Sequence, residues 1–175
     1  MSNKFHFKKI ILVSISIITE SVETKEEKFE SLIPRIESLI EEEDNFIANV
    51  SNITSVLKNS FEEYSWVGFY FVDKRNGELV LGPFQGKAAC TRISVGKGVC
   101  GSAIERKQTI VVEDVNEFPG HIFCDPEARS EIVIPIIKNG FVIAVLDIDS
   151  DRCSAFDNLD KVYLEDLIKR ITHIF

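Results

Sequence analysis

The chain has no apolar run that reaches the roughly 18 residues a membrane-spanning helix needs, so no membrane attachment is expected. Basic charge is scarce as well. Twenty Lys and Arg against 28 Asp and Glu leave a formal net charge of −8, which argues against a nucleic-acid grip through phosphate neutralisation. Four cysteines in 175 residues are too few for a disulfide-built scaffold. Nor do they show the C-x₂₋₄-C pairs of structural zinc sites, because Cys90, Cys100 and Cys124 are ten and 24 residues apart. Internal repeats and low-complexity tracts are lacking. What is present is a hydrophobic content of 45%, enough for the core of one domain.

Charge is unevenly spread. Glu20 to Asp44 holds ten acids and three bases, which reads as a solvated helix face. Before it, Lys4, Lys8 and Lys9 precede the apolar stretch Ile10–Ile18. A basic start and an apolar run resemble a secretory signal, but no small-x-small cleavage site follows. Its β-branched content also suits a strand. Residues 1–21 are therefore expected to be an N-terminal extension of a cytoplasmic protein, with residues 22–175 forming the domain.

Phe29, Leu32, Ile33, Ile36, Leu39 and Ile40 follow the helical period and predict a helix over 24–43, with Pro34 marking a kink or a late start. Ile47, Val50, Ile53 and Leu57 predict a second. Strands follow over 66–72 and 78–84, joined at Asn76-Gly77, a hairpin signal if both residues adopt positive φ. A glycine-rich middle holds a short strand over 91–93, a helix over 102–107 and a strand over 109–112. Residues 114–130 read as irregular. Strands over 131–137 and 141–149 flank Asn139-Gly140, and a last helix begins near Ser154 as N-cap. The expected class is α+β: an antiparallel sheet of five or six strands, with N- and C-terminal helices on one face and a loop-built pocket on the other.

Strand alternation puts Asp147 and Asp149 on one face, roughly 6.8 Å apart, with Leu146 and Ile148 on the other. Asp is disfavoured in strands, so the pair needs a reason. Either the strand end is exposed, or the pair lines a pocket that receives a cation or handles a proton. Glu131 opens the neighbouring strand and adds a third carboxylate; crowding raises such pKa values, so one acid can stay protonated. Trp66, Gly68 and Tyr70 share a face that suits either plain core or an aromatic wall for a small cation.

Three cysteines have settings that favour chemistry. Cys124 precedes Asp125-Pro126, an N-cap and first-helical-residue pair, so it is expected at the positive end of a helical turn where a thiolate is favoured. His121 and Arg129 are near in sequence. Cys100 also abuts a helix start. Cys90 lies in the loop Gln85-Gly86-Lys87-Ala88-Ala89-Cys90, which suits a thiol that travels to another sulfur, whereas Cys153 reads as a bystander. Zinc held by Cys90, Cys100, His121 and Cys124 is a competing reading that the spacing disfavours. The residues together describe a redox-capable thiol set beside an acidic, aromatic pocket: a thiol oxidised by its substrate and then rescued by a neighbour.

Five segments carry a family resemblance: Leu81-Gly82-Pro83-Phe84-Gln85-Gly86-Lys87-Ala88-Ala89-Cys90, Gly98-Val99-Cys100-Gly101, Phe118-Pro119-Gly120-His121-Ile122-Phe123-Cys124-Asp125, Ser130-Glu131-Ile132-Val133 and Leu146-Asp147-Ile148-Asp149-Ser150. They resemble the free methionine-(R)-sulfoxide reductases, small proteins of the GAF fold, and the likeness runs from about Phe29 to Ile171. The resemblance implies reduction of free L-methionine-(R)-sulfoxide to methionine, with no bound cofactor or metal. Electrons would come from NADPH through thioredoxin reductase and thioredoxin. It implies Cys124 as nucleophile with Cys90 or Cys100 resolving the sulfenic acid, Asp147 and Asp149 for the substrate ammonium, Glu131 for activating the sulfoxide oxygen, and Trp66 and Tyr70 as the aromatic wall. Recognition of the free amino acid's own charges would exclude the same sulfoxide inside a peptide. The fold commonly pairs, which suggests a homodimer. A GAF-type sensor is the alternative, although a sensor usually adjoins an output domain and has no need for three placed cysteines.

Overall fold

Val67 and Phe69 face one way from their strand and Trp66 and Tyr70 the other, and this alternation gives one sheet two unlike sides. The computed structural model describes residues 23–175; the extension over 1–21 lies outside the described residues. The chain runs α1 (Lys25–Ile40), α2 (Phe46–Ser60), β1 (Trp66–Val72), β2 (Leu79–Gln85), β3 (Arg92–Ile93), α3 (Gly98–Arg106), β4 (Ile110–Val112), β5 (Ser130–Lys138), β6 (Phe141–Ser150) and α4 (Asn158–Ile171). The strands form a six-stranded sheet in the order β3-β2-β1-β6-β5-β4. Every pairing is antiparallel. The fold is α+β, as the hairpins and flanking helices predict.

Helices α1, α2 and α4 cover one face. Phe29, Ile36, Ile53, Leu57, Leu164 and Leu167 close over Val67, Phe69, Ile134, Leu146 and Ile148, all fully or almost fully buried. Helix α1 opens with a capping box between Thr24 and Glu27 and runs through Pro34, which lies on its exposed side. That proline therefore marks neither its start nor its end. Leu39, placed on the buried stripe by its spacing, is 42% exposed. No helix among the described residues is long and apolar enough to cross a membrane.

Several local expectations are corrected. The last helix is capped by Asp157, not Ser154. The Asp157 carboxylate accepts from the Leu159 and Asp160 amides while Asp160 reaches back, whereas Ser154 sits in the left-handed region before it. Helix α3 begins at Gly98, four residues earlier than expected, so Cys100 is inside its first turn. It packs on the second sheet face, which is thus built by a helix as well as by loops. The two Asn-Gly turns also differ. Asn139 and Gly140 both have positive φ and close a tight hairpin. At Asn76-Gly77 only Gly77 does. There the Asp73 side chain accepts from the Arg75 amide and guanidinium, and the Asp73 amide donates to the Glu78 carbonyl, which makes a wider loop.

Candidate active site

Register assembles the acidic floor. Across β1 and β6, Trp66 lies opposite Asp149 and Gly68 opposite Asp147. Across β5 and β6, Glu131 lies opposite Asp149 and Val133 opposite Asp147. Directly opposed residues share a face, so three carboxyl groups gather beside Trp66 on the face away from α1, α2 and α4. Glu131 and Asp147 are each only 6% exposed, and Asp147 Oδ1 has no hydrogen-bond partner among the described residues. Burial raises the Asp147 carboxyl to about 6, with Cys100 and Glu131 beside it acting the other way. Burial, then the neighbouring Asp147, pushes Glu131 and Asp149 well above the usual carboxylate range. The three carboxyls therefore titrate as a group and hold protons near neutrality.

The aromatic wall does two things. The Trp66 ring lies over Gly68, where a Cβ would come within 2.2 Å of it, and stacks on Phe84 and Tyr70. The polar ends of Trp66 and Tyr70 hold the cysteine loop: Trp66 Nε1–H donates to the Lys87 carbonyl and the Tyr70 hydroxyl to the Cys90 carbonyl, both at 3.0 Å. That second role is invisible in the sequence, because the partners are backbone oxygens about twenty residues away.

Cys90 and Cys124 are joined in a disulfide, with Cα atoms 5.3 Å apart. Lys87, three residues before Cys90, lies 3.4 Å from Asp125 and also pairs with Glu127, so the two cysteine loops are latched beside the bond. Cys124 is not at a helix start. Asp125 forms a single turn instead, its carboxylate accepting from the Glu127 amide at 2.9 Å while its carbonyl accepts from Ala128. Pro126 fixes that turn without any helix after it.

Cys100 departs from its expectation differently. It lies in the first turn of α3, fully buried, with Sγ 4.0 Å from Glu131 Oε1. Burial, then the adjacent Asp147 and Glu131, push its thiol up. Desolvation and two acids outweigh the helix N-terminus, so ionisation is suppressed. The zinc set of Cys90, Cys100, His121 and Cys124 is not assembled, since two of its sulfurs are bonded to each other. Cys153 is exposed and lies beside Asp114, outside the cavity.

A small cavity, open at its mouth, unites these groups. Trp66, Tyr70, Cys100, Cys124, Glu131, Asp147 and Asp149 all line it. Cys90 reaches it through its bond to Cys124. Arg129 does not line it and pairs with Asp114 at 3.0 Å. His121 does, with both ring nitrogens buried and without a partner among the described residues, and burial lowers its pKa, which favours the neutral ring. Lys97 and the α3 first-turn residues Gly98 and Val99 complete the wall. Sequence reasoning missed this basic, amide-rich side; Lys97 followed by Gly98 at a helix start was the available signal. An acidic floor and a wall with positive character together suit a small zwitterion.

Comparison with known proteins agrees with this geometry. A family model described as "GAF domain" matches residues 48–174. GAF domain-containing protein A of Dictyostelium discoideum is 52% identical over 83% of this chain and 91% of its own length. The free methionine-R-sulfoxide reductase of Saccharomyces cerevisiae is 45% identical over 84% of this chain and 85% of its own. Among solved structures, the free methionine-R-sulfoxide reductase of Neisseria meningitidis in complex with its substrate superposes with a TM-score of 0.86 at 46% identity, covering 89% of this chain and 92% of that one. On its fold, its cavity and these relatives, this chain belongs to the free methionine-R-sulfoxide reductase family of GAF-domain proteins.

Proposed function

We propose that this protein reduces free L-methionine-(R)-sulfoxide to methionine in the cavity lined by Cys124. The observation that carries the reading is the disulfide between Cys90 and Cys124, with Cys124 on the wall of a cavity whose floor is Glu131, Asp147 and Asp149.

The Asp147 carboxylate, with its unpartnered oxygen, takes the substrate ammonium. The α3 first turn and Lys97 face the carboxylate, and Trp66 and Tyr70 flank the thioether carbon chain. The Cys124 thiolate attacks the sulfoxide sulfur. Glu131, kept protonated by burial and its acidic neighbours, donates a proton to the sulfoxide oxygen. Methionine leaves, and Cys124 carries the oxygen as a sulfenic acid. The Cys90 thiol attacks the Cys124 sulfur, water departs, and the disulfide forms. Thioredoxin then returns two electrons by thiol–disulfide exchange, in a cytoplasmic setting. Cys100, un-ionised beside the acids, fits the resolving role less well than Cys90. The exposed apolar side chains Leu39, Ile47 and Val162 on the helical layer suit a homodimer contact.

Reduced protein with racemic free methionine sulfoxide, thioredoxin, thioredoxin reductase and NADPH is expected to consume half the sulfoxide, confined to the R epimer. A peptide containing methionine sulfoxide should leave NADPH untouched. Absence of NADPH consumption with the free amino acid overturns the reading.

A further inference from the structure

We propose that Cys100, Glu131 and Asp147 form a binding site for a zinc-class divalent cation in the floor of the cavity, and that the cation blocks the site of the substrate ammonium. The cation site itself is independent of the reductase reading; only the inhibition rests on it.

One donor atom from each of the three residues lies within 4.8 Å of the other two, and all three residues are buried. Tetrahedral zinc, with bonds near 2.0–2.3 Å, sets its ligands roughly 3.3–3.8 Å apart. The Cys100 Sγ to Glu131 Oε1 separation of 4.0 Å is therefore within a small side-chain adjustment of bonding geometry. Asp147 Oδ1, on a side chain more than nine-tenths buried, has no partner among the described residues, and an unmet acceptor this deep calls for a ligand. All three groups line the open cavity, which provides an entry path. Cys100 is free while Cys90 and Cys124 are bonded, so the donor set persists in the oxidised protein.

The donor chemistry selects the ion. One thiolate and two carboxylates suit a borderline cation such as Zn²⁺, whereas Mg²⁺ and Ca²⁺ require six or more oxygens. Three protein ligands leave a fourth position for water, the arrangement of an open zinc site. Binding releases the Cys100 thiol proton and the proton of any carboxyl that carries one, while a carboxylate already ionised coordinates without releasing a proton. The sequence hides this site. Its ligands are 31 and 16 residues apart on three elements, with none of the spacing that marks a structural zinc motif.

The test titrates Co²⁺, a coloured substitute for zinc, into the full chain with its Cys90–Cys124 disulfide intact, where only Cys100 and Cys153 keep free thiols. One equivalent should bind with a thiolate-to-cobalt charge-transfer band. The band should persist in Cys153→Ser, disappear in Cys100→Ser and yield to added Zn²⁺. Asp147→Asn should weaken cobalt binding at least tenfold in a protein whose circular dichroism is unchanged, which keeps the test decisive if Cys100→Ser misfolds. Absence of the band, a band that follows Cys153, or cobalt affinity unmoved by Asp147→Asn overturns the proposal. No turnover is measured, so this outcome is separate from that of the NADPH assay.

Discussion

The two faces of the sheet are built from the same strands and put to opposite uses. On β6, Ala144, Leu146 and Ile148 point into the layer of α1, α2 and α4 and are fully buried, while Asp147, one position over, is nearly as buried among acids and a thiol. Burying apolar surface stabilises by about 25 cal/mol per Å². Burying a carboxyl costs stability unless a partner or a proton compensates it. The helix-covered face therefore carries the fold, and the α3-covered face carries groups that stability alone does not retain. Destabilising polar groups held in one cavity by a rigid sheet are what a preformed binding site requires.

Adjacent substitutions on β6 offer the sharpest break of this contrast. Leu146→Ala should lower the unfolding free energy by about 2–5 kcal/mol while kcat/KM per folded molecule stays near that of the parent. Asp147→Asn should lower kcat/KM about a hundredfold through loss of the ammonium partner, with an unchanged or higher urea midpoint. If Asp147→Asn destabilises as much as Leu146→Ala, the division between faces fails.

A smaller effect comes from pH. The Asp147 carboxyl titrates at about 6 in the fold and near 3.8 when unfolded. A raised folded pKa means that its protonated form contributes stability in full below about pH 4, and that this contribution fades as pH rises through 6. With chelator present to exclude metals, the reduced protein should lose about 1–3 kcal/mol of stability between pH 4.5 and 7.5 from this cluster. Asp147→Asn should flatten that slope, as urea midpoints across the pH range would record. A parallel slope in the variant would assign the effect to other groups.

The smallest effect tests how the loops meet. Lys87 is exposed, and exposed ion pairs are weak, yet this one joins the two segments that must bring Cys90 to Cys124. Lys87→Ala should leave the first release of methionine unchanged and slow the subsequent loss of free thiols about two- to fivefold. Equal rates in rapid-quench measurements would show that the aromatic hydrogen bonds from Trp66 and Tyr70 suffice.

Much of this was legible in the chain. Period two put Asp147 and Asp149 on one face and Leu146 and Ile148 on the other, and the structure keeps that division because a one-residue slip would bury the wrong set. Asn139-Gly140 gave its hairpin for a local reason. Asp125-Pro126 has the pattern of a helix start yet forms a turn, because an N-cap and an Asx turn share the same first hydrogen bonds, and only the residues beyond decide between them. Around Cys100 the chain shows only a helix start; the two carboxyls that reverse its tendency arrive from β5 and β6.

By itself, then, the sequence determined what local periodicity and turn chemistry can encode: the class of the fold, the strands and their faces, and the residues able to act as thiols, acids and aromatic walls. Tertiary structure alone decided which of them meet. The joining of Cys90 to Cys124, the isolation of Cys100 among acids, and the entry of His121 and Lys97 into the cavity all depend on contacts between distant segments. Such contacts are set by strand register and by the path of loops over the sheet, and neither leaves a local pattern in the chain.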